Sequence, residues 1–321
     1  KEHLFTLPDQ PGLVPYRTSY YKETWGFCMA HHQWLGLQEG EYEVCIDSTL
    51  EDGSLTYGEC FLPGETDREV LISCHVCHPS LCNDNLSGLA VCTWLAQELA
   101  KAPRRLSYRF VFIPGTIGSI TWLARNDSSH IIAGLVAANL GDQGRFHYKK
   151  TRRGDSEIDR AVLHILKGMP HQVEKWIPFG YDERQYNSPG FNLPVGSLTR
   201  TPYGRYPEYH TSADNLDFIH ADCLEGSLRL YRSVMNVLEG NRRYLNLNPN
   251  CEPQLGRRGL YRLIGGDDSE RQRELALLWV LNLSDGEHGL LDIAERSGMP
   301  FEAIRSAADA LLEVELLREL P

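Results

Sequence analysis

Val70-Leu71-Ile72-Ser73-Cys74-His75 runs straight into Val76-Cys77-His78-Pro79, and Asn83-Asp84-Asn85 follows a few residues later. The first six residues read as a short buried strand, and a helix then begins near the Asn-Asp-Asn run. Leu86, Leu89, Ala90, Trp94, Leu95 and Leu99 recur at helical spacing after it. Downstream the pattern repeats, with strands over 108–113 and 134–140 and a helix over 119–126 between them. Strand, helix, strand, helix, strand implies an α/β fold, a parallel or mixed sheet with helices on its faces. Ligands of such sheets gather beyond the carboxyl ends of the strands. His75, His78, Asp84 and the Gly141-Asp142 pair all fall at such ends.

Upstream of this unit, Tyr42-Glu43-Val44-Cys45-Ile46-Asp47 and Leu55-Thr56-Tyr57-Gly58-Glu59-Cys60 alternate with the strand period of two. Asp52-Gly53 between them suits a tight hairpin turn, so residues 14–68 are expected to form a β-rich insertion. A helix over 222–238 closes the first domain, and 241–253, rich in Asn, Pro and Arg, reads as a linker. The expected domains are 1–250 and 251–321. In the second, a helix over 275–283 precedes a helix-turn-helix pattern: 290–295, the turn Ser297-Gly298-Met299-Pro300, and 301–312.

The 321 residues are 42% hydrophobic and 23% charged, as in a globular protein. A formal charge of −11 disfavours nucleic acid and anionic membranes as partners, because both repel an acidic surface. Four of the nine cysteines, Cys74, Cys77, Cys82 and Cys92, crowd one stretch, which is unlike an extracellular disulfide framework. The opening Lys1-Glu2-His3-Leu4-Phe5 lacks the layout of a signal peptide. A cytoplasmic location is expected.

Imidazoles and carboxylates at separate strand ends can converge on one point, a donor set that suits zinc. His210, in Glu208-Tyr209-His210-Thr211-Ser212-Ala213-Asp214, is a further candidate ligand. Singly, each residue has a plain reading: Asp84 as a helix cap, His210 as a turn residue, Asp142 as a loop carboxylate. Together they favour a metal. A structural knuckle built on Cys74, Cys77 and Cys82 with His75 and His78 is disfavoured, because strand alternation turns Cys74 away from His75 and no second Cys-x-x-Cys exists. The chain has no Gly-x-Ser-x-Gly elbow, phosphate-binding loop or dinucleotide fingerprint.

The runs His75 to Gly88, Ile113-Pro114-Gly115-Thr116-Ile117-Gly118-Ser119, Asp182-Glu183-Arg184-Gln185-Tyr186-Asn187-Ser188-Pro189-Gly190 and Tyr209 to Asn215 resemble the aminopeptidase-like proteins often found with polysaccharide or natural-product biosynthesis genes. Those proteins are distant relatives of the M28 zinc aminopeptidases. The resemblance covers nearly the whole chain and implies an M28-like zinc-peptidase fold, a mixed sheet flanked by helices, with a C-terminal winged-helix domain. Position by position it assigns one or two zinc ions to His75, Asp84, Asp142 and His210. Cys77 stands where the pattern has an orienting aspartate, so His78 competes with His75 as the first ligand.

After the second strand, M28 enzymes carry paired glutamates, a general base and a metal ligand. Here Phe112-Ile113-Pro114-Gly115-Thr116 offers no carboxylate. Glu183 is the expected replacement base, with Asp182 and Glu208 as alternative catalytic substitutes. Arg184, Tyr186, Tyr203 and Glu208 are expected to bind a small peptide or amino-acyl substrate. The alternative is a metal-binding protein that no longer hydrolyses. Residues 251–321 hold fourteen Asp or Glu against eight Arg, and the expected recognition helix carries Glu302, Arg305, Asp309 and Glu313. That helix suits contacts with a partner or a second subunit better than a phosphate-lined groove.

Overall fold

Every residue of the strand Glu69–His75 is buried, which a strand achieves only when both faces of its sheet are covered. The computed structural model describes residues 1–19, 22–261 and 268–320. In chain order it contains β1 (Leu4–Phe5), β2 (Phe27–Cys28), α1 (His31–Leu35), β3 (Gly58–Leu62), β4 (Glu69–His75), α2 (Ser87–Leu99), β5 (Ser107–Ile113), α3 (Ile117–Arg125) and β6 (Ile131–Ala137). There follow β7 (Phe146–Lys149), α4 (Glu157–Leu166), β8 (His171–Glu174), α5 (Glu183–Tyr186), β9 (Val195–Thr199) and α6 (Ala221–Gly240). The last are β10 (Arg243–Asn246), α7 (Asp268–Leu283), β11 (Asp285–Gly289), α8 (Leu290–Ser297), α9 (Phe301–Glu313) and β12 (Leu317–Glu319).

The chain divides into two compact units, 1–156 with 170–230, and 157–169 with 231–321. In the first, a seven-stranded sheet has the order β3-β5-β4-β6-β9-β7-β8. The inner strands β5, β4, β6 and β9 are parallel. β3 and β7 run antiparallel to their neighbours β5 and β9. Leu71, Val111, Ile113, Trp122, Val136, Tyr186 and Val195 form a buried cluster on the sheet. β5 and β6 both follow β4 in sequence but flank it on opposite sides. That reversal opens a crevice at the carboxyl end of β4.

Three details depart from the sequence reading. β6 ends at Ala137 rather than at 140, so Ala138-Asn139, and not Gly141-Asp142, is the first pair beyond the strand. On α2 the buried positions are Ser87, Gly88, Val91, Cys92 and Leu95, whereas Trp94, and Leu86 just before the helix, are exposed. The expected hairpin is absent: among the described residues 41–57 no strand forms, and Tyr42, Val44 and Ile46 stay exposed. Alternation makes a strand only where an edge and a packing surface accept it. Gly58–Leu62 finds that edge on β5, and the preceding segment does not.

In the second unit α4, α7, α8 and α9 accompany a three-stranded sheet of order β11-β10-β12. β10, its central strand, lies in the stretch read as a linker. Leu277, Val280, Ile293, Ile304 and Leu311 are fully buried. His164 Nε2 on α4 accepts from Phe301 N at 3.1 Å. Arg160 pairs with Asp292 and Glu295 at 2.5 and 2.6 Å. All nine cysteines are free. Among the described residues no helix is long and apolar enough to cross a membrane.

Candidate metal centre

The crevice beyond β4 is organised by the turn Cys82–Leu86, which places Asp84 beside the end of that strand. Asp214 holds the turn from one side: Asn83 N donates to its Oδ1 at 2.5 Å and Asp84 N to its Oδ2 at 3.0 Å. From the other side Gly141 N donates to Asn83 Oδ1 at 2.9 Å, and Leu140 N to Ser87 Oγ at 2.9 Å. With its backbone so fixed, the Asp84 carboxylate, almost fully buried, faces three histidines.

His75 Nε2 lies 2.7 Å from Asp84 Oδ1. Opposite, Asp84 Oδ2 lies 3.3 Å from His78 Nε2 and 3.2 Å from His210 Nε2, and those two nitrogens are 3.1 Å apart. The three atoms make a nearly equilateral triangle. Ligand atoms about 2.0–2.1 Å from a tetrahedral zinc stand roughly 3.3 Å from one another, so these donors fit one face of such a site. Among the described residues, His78, Asp84 and His210 are the group with the spacing to hold an ion. Burial alone would raise the Asp84 pKa, but hydrogen bonds from His210, His75 and His78 outweigh it and hold the carboxyl well below its ordinary range.

Tyrosines wall the cluster. Tyr16 tilts over His78 with centroids 4.5 Å apart, Tyr209 stacks on His210 at 3.9 Å, and Tyr181 lies 4.4 Å from His75. His210 and Asn139 both have positive φ, 55° and 52°, a conformation rare in residues with side chains and common at functional sites.

The remaining candidates are scattered around this centre. Asp142 stands outside the triangle with both oxygens engaged. Its Oδ1 accepts from Thr201 Oγ1 at 2.6 Å and Gly144 N at 2.7 Å, and its Oδ2 from Asn83 Nδ2 at 3.0 Å. Glu183 is buried and ion-paired with Lys149 at 2.8 Å. Its oxygens also accept from Tyr181 N. Asp182 occupies the space beyond β5 where the sequence has no carboxylate: its Oδ1 accepts from Thr116 N at 2.8 Å and Ser119 Oγ at 2.7 Å. Its Oδ2 is buried without a partner. Burial pushes the Asp182 pKa up to about 6, against the opposing pull of His75 and of the bonds from Ser119 and Thr116.

Tyr186 is fully buried, its Oη 2.9 Å from Ser73 Oγ. Half-buried Arg184 has an unpartnered Nε. Tyr203 lines a small cavity beside His75 and Asp84, and burial raises its pKa to about 12. The carbonyl of Glu208 accepts from Thr211 N and Oγ1 at 3.0 and 2.8 Å, bracing the turn that carries His210. Sequence reasoning missed Tyr16, Asn139, Tyr181, Tyr209 and the clamp made by Asp214. Tyr209 and Asp214 lie inside a quoted motif and Tyr181 adjoins one, but Tyr16, far upstream, gave no local signal.

Residues 5–241 match a family described as a domain of unknown function, DUF4910, and residues 242–319 match the winged helix-turn-helix family. A Clostridium acetobutylicum protein, provisionally named a polysaccharide biosynthesis protein with an aminopeptidase-like domain, is 53% identical over 99% of this chain and 74% of its own length. A crystal structure of a Clostridium acetobutylicum protein, provisionally described as a peptidase, superimposes with a TM-score of 0.92 at 51% identity, covering 99% of this chain and 73% of the other. An aminopeptidase from Aneurinibacillus sp. strain AM-1 is 17% identical over 56% of this chain and 47% of its own, with a TM-score of 0.49, too slight a likeness to carry an argument. The matched family spans the whole sheet and every residue around Asp84, and the chain belongs to the DUF4910 family, with a winged helix-turn-helix domain following it.

Proposed function

We propose that this chain is a zinc-dependent, aminopeptidase-like hydrolase acting on a peptide or amide bond of a small amino-acyl substrate. The observation that carries the reading is the triangle of His78 Nε2, Asp84 Oδ2 and His210 Nε2, with edges of 3.1 to 3.3 Å. A zinc ion bound there would supply a Lewis acid for the scissile carbonyl and lower the pKa of a bound water. His78, Asp84 and His210 would hold it. His75 would fix the Asp84 carboxylate through its second oxygen, the outer-shell role that sets ligand orientation and basicity. The relative named for an aminopeptidase-like domain supports the same class of reaction, in a biosynthetic setting.

Asp182 is our candidate for the proton-accepting group. It is buried, one oxygen is unengaged, and a pKa near 6 suits a base working near neutrality. Glu183 is less suited, because Lys149 already neutralises it. The test is metal analysis with activity on L-leucine p-nitroanilide. Wild type should carry zinc and turn over, Asp84→Ala and His210→Ala should lose both, and Asp182→Asn should keep zinc with activity down by about 10²-fold. Purified protein that takes up no zinc overturns the proposal.

A second reading, a metal-binding protein without hydrolysis, is favoured by the segment after β5, which carries no carboxylate of its own. Turnover of an aminoacyl amide that is lost in His210→Ala would dispose of it. The acidic exposed face of α9, with Glu302, Asp309 and Glu313, supports a protein partner or second subunit for the winged helix, in place of nucleic acid.

A further inference from the structure

His78 brings its Nε2 to the metal triangle, yet its other ring nitrogen, Nδ1, is buried without a hydrogen-bond partner. A metal-binding imidazole almost always donates through that second nitrogen, and the bond fixes the orientation of the ring. Without it the plane is loosely held, because the last torsion of a histidine side chain has only broad minima. Something else must orient His78. The ring of Tyr16 packs against it with centroids 4.5 Å apart and planes at 56°, and against His210 at 5.2 Å and 68°. One half-buried tyrosine thus touches both histidines of the triangle.

Tyr16 is itself held in place. The segment 10–16 runs along the turn that carries His210: Gln10 Nε2 donates to Pro207 O at 3.2 Å, Val14 N to Ser212 Oγ at 3.0 Å and Ser212 N to Val14 O at 2.8 Å. Pro15 and Thr211 form an antiparallel bridge, and Tyr16 N donates to His210 O at 2.7 Å. At its start the segment is tied to α1, where His32 N donates to Pro11 O at 3.1 Å. These bonds bracket His210, whose φ of 55° costs free energy and persists only where the surroundings over-determine it. The backbone of this strap therefore secures the turn, while the side chain at its end lies on the imidazoles.

We propose that Tyr16 is a positioning residue of the metal centre, its ring setting the planes of His78 and His210 so that both Nε2 atoms face Asp84 Oδ2. It fills the role that a hydrogen bond at His78 Nδ1 would otherwise have. A flat ring wedged at steep angles against two imidazoles restricts their rotation, which apolar bulk of another shape does not. The inference rests on the metal site of the hydrolase reading, and not on hydrolysis itself.

The test uses the full chain and two variants: Tyr16→Phe, which keeps the ring, and Tyr16→Leu, which keeps apolar bulk without it. Stripped proteins are titrated with zinc against a chelator of known affinity. Cobalt(II) serves as a second probe, because its visible absorption bands follow the geometry of its ligands. Melting of the metal-free proteins reads the packing of the strap alone. Tyr16→Leu should bind zinc about 10–100-fold more weakly than wild type and shift the cobalt bands, whereas Tyr16→Phe should stay within about threefold and keep them. The two variants should melt at similar temperatures when metal-free. Wild-type zinc affinity in Tyr16→Leu overturns the assignment, and so does weaker zinc binding with unmoved cobalt bands. Equal losses in Tyr16→Phe and Tyr16→Leu also overturn it, as does a leucine variant that no longer folds, which would make Tyr16 a support of the fold. Wild type that takes up neither metal overturns this inference and the hydrolase reading together. Wild type that binds both metals but turns over no aminoacyl amide overturns the hydrolase reading alone.

Discussion

Asp182 shows how much a single buried carboxylate can couple the site to solvent pH. Burial raises its pKa to about 6 from an ordinary 3.8. For a raised acid, the folded state favours the proton, so the stabilising contribution is complete below the ordinary pKa and disappears as pH rises through the folded value. In metal-free protein, wild-type stability should therefore decline between pH 4 and about 6.5 relative to Asp182→Asn, by about 2–3 kcal/mol at about 1.4 kcal/mol per pH unit. Urea unfolding at several pH values measures this, and parallel curves for the two proteins would refute it. At this scale much of the site was legible: His75, His78, Asp84 and His210 converge, as imidazoles and carboxylates grouped beyond the carboxyl ends of one sheet can. Asn139 was not legible, since reading β6 three residues too long moved attention to Asp142. The sequence pointed to Glu183 ahead of Asp182 as the base, because only packing shows that Lys149 takes Glu183 and Ser119 bonds Asp182.

Elements position those residues, and the helix that continues from the Asp84 turn, α2, packs closely on β6. Gly88, in the first turn of α2, approaches β6 so closely that a Cβ would sit 2.7 Å from the carbonyl oxygen of Ala137 and 2.5 Å from Asn85 Oδ1. By helix propensity alone Gly88→Ala should stabilise the protein by about 1 kcal/mol. Here the backbone oxygen cannot move away cheaply, so the same change should destabilise by about 1–3 kcal/mol, as overpacking does. It should also weaken zinc binding, because the turn Cys82–Leu86 must shift with the helix. Thermal melting and zinc titration of the variant test this, and a raised melting temperature would contradict it. The sequence made the Ser87-Gly88 pair visible as part of a motif without giving its reason. The helices and the buried strands were read from periodicity, which burial imposes. The stretch before β3 was misread because alternation also occurs where nothing packs against it.

For the whole molecule, charge and long-range closure set the behaviour. A net charge of −11 and an acidic exposed face on α9 predict no measurable binding to a fluorescent DNA duplex even at low salt, where cationic proteins bind most tightly; salt-sensitive binding at micromolar protein would reverse that expectation. The metal cluster has a different global consequence. His78 and His210 lie 132 residues apart in sequence, and Asp84 joins them only in the folded chain. An ion that prefers this arrangement to the unfolded chain stabilises the fold by mass action, about 2.7 kcal/mol at a hundredfold excess over Kd. For a unit of this size that corresponds to a rise in Tm of roughly 5–10 °C. Stripped protein titrated with zinc should show this rise, and Asp84→Asn, which keeps the shape but removes the anionic ligand, should show little of it. A Tm independent of zinc in the wild type would mean that the three donors, despite their spacing, do not hold the ion.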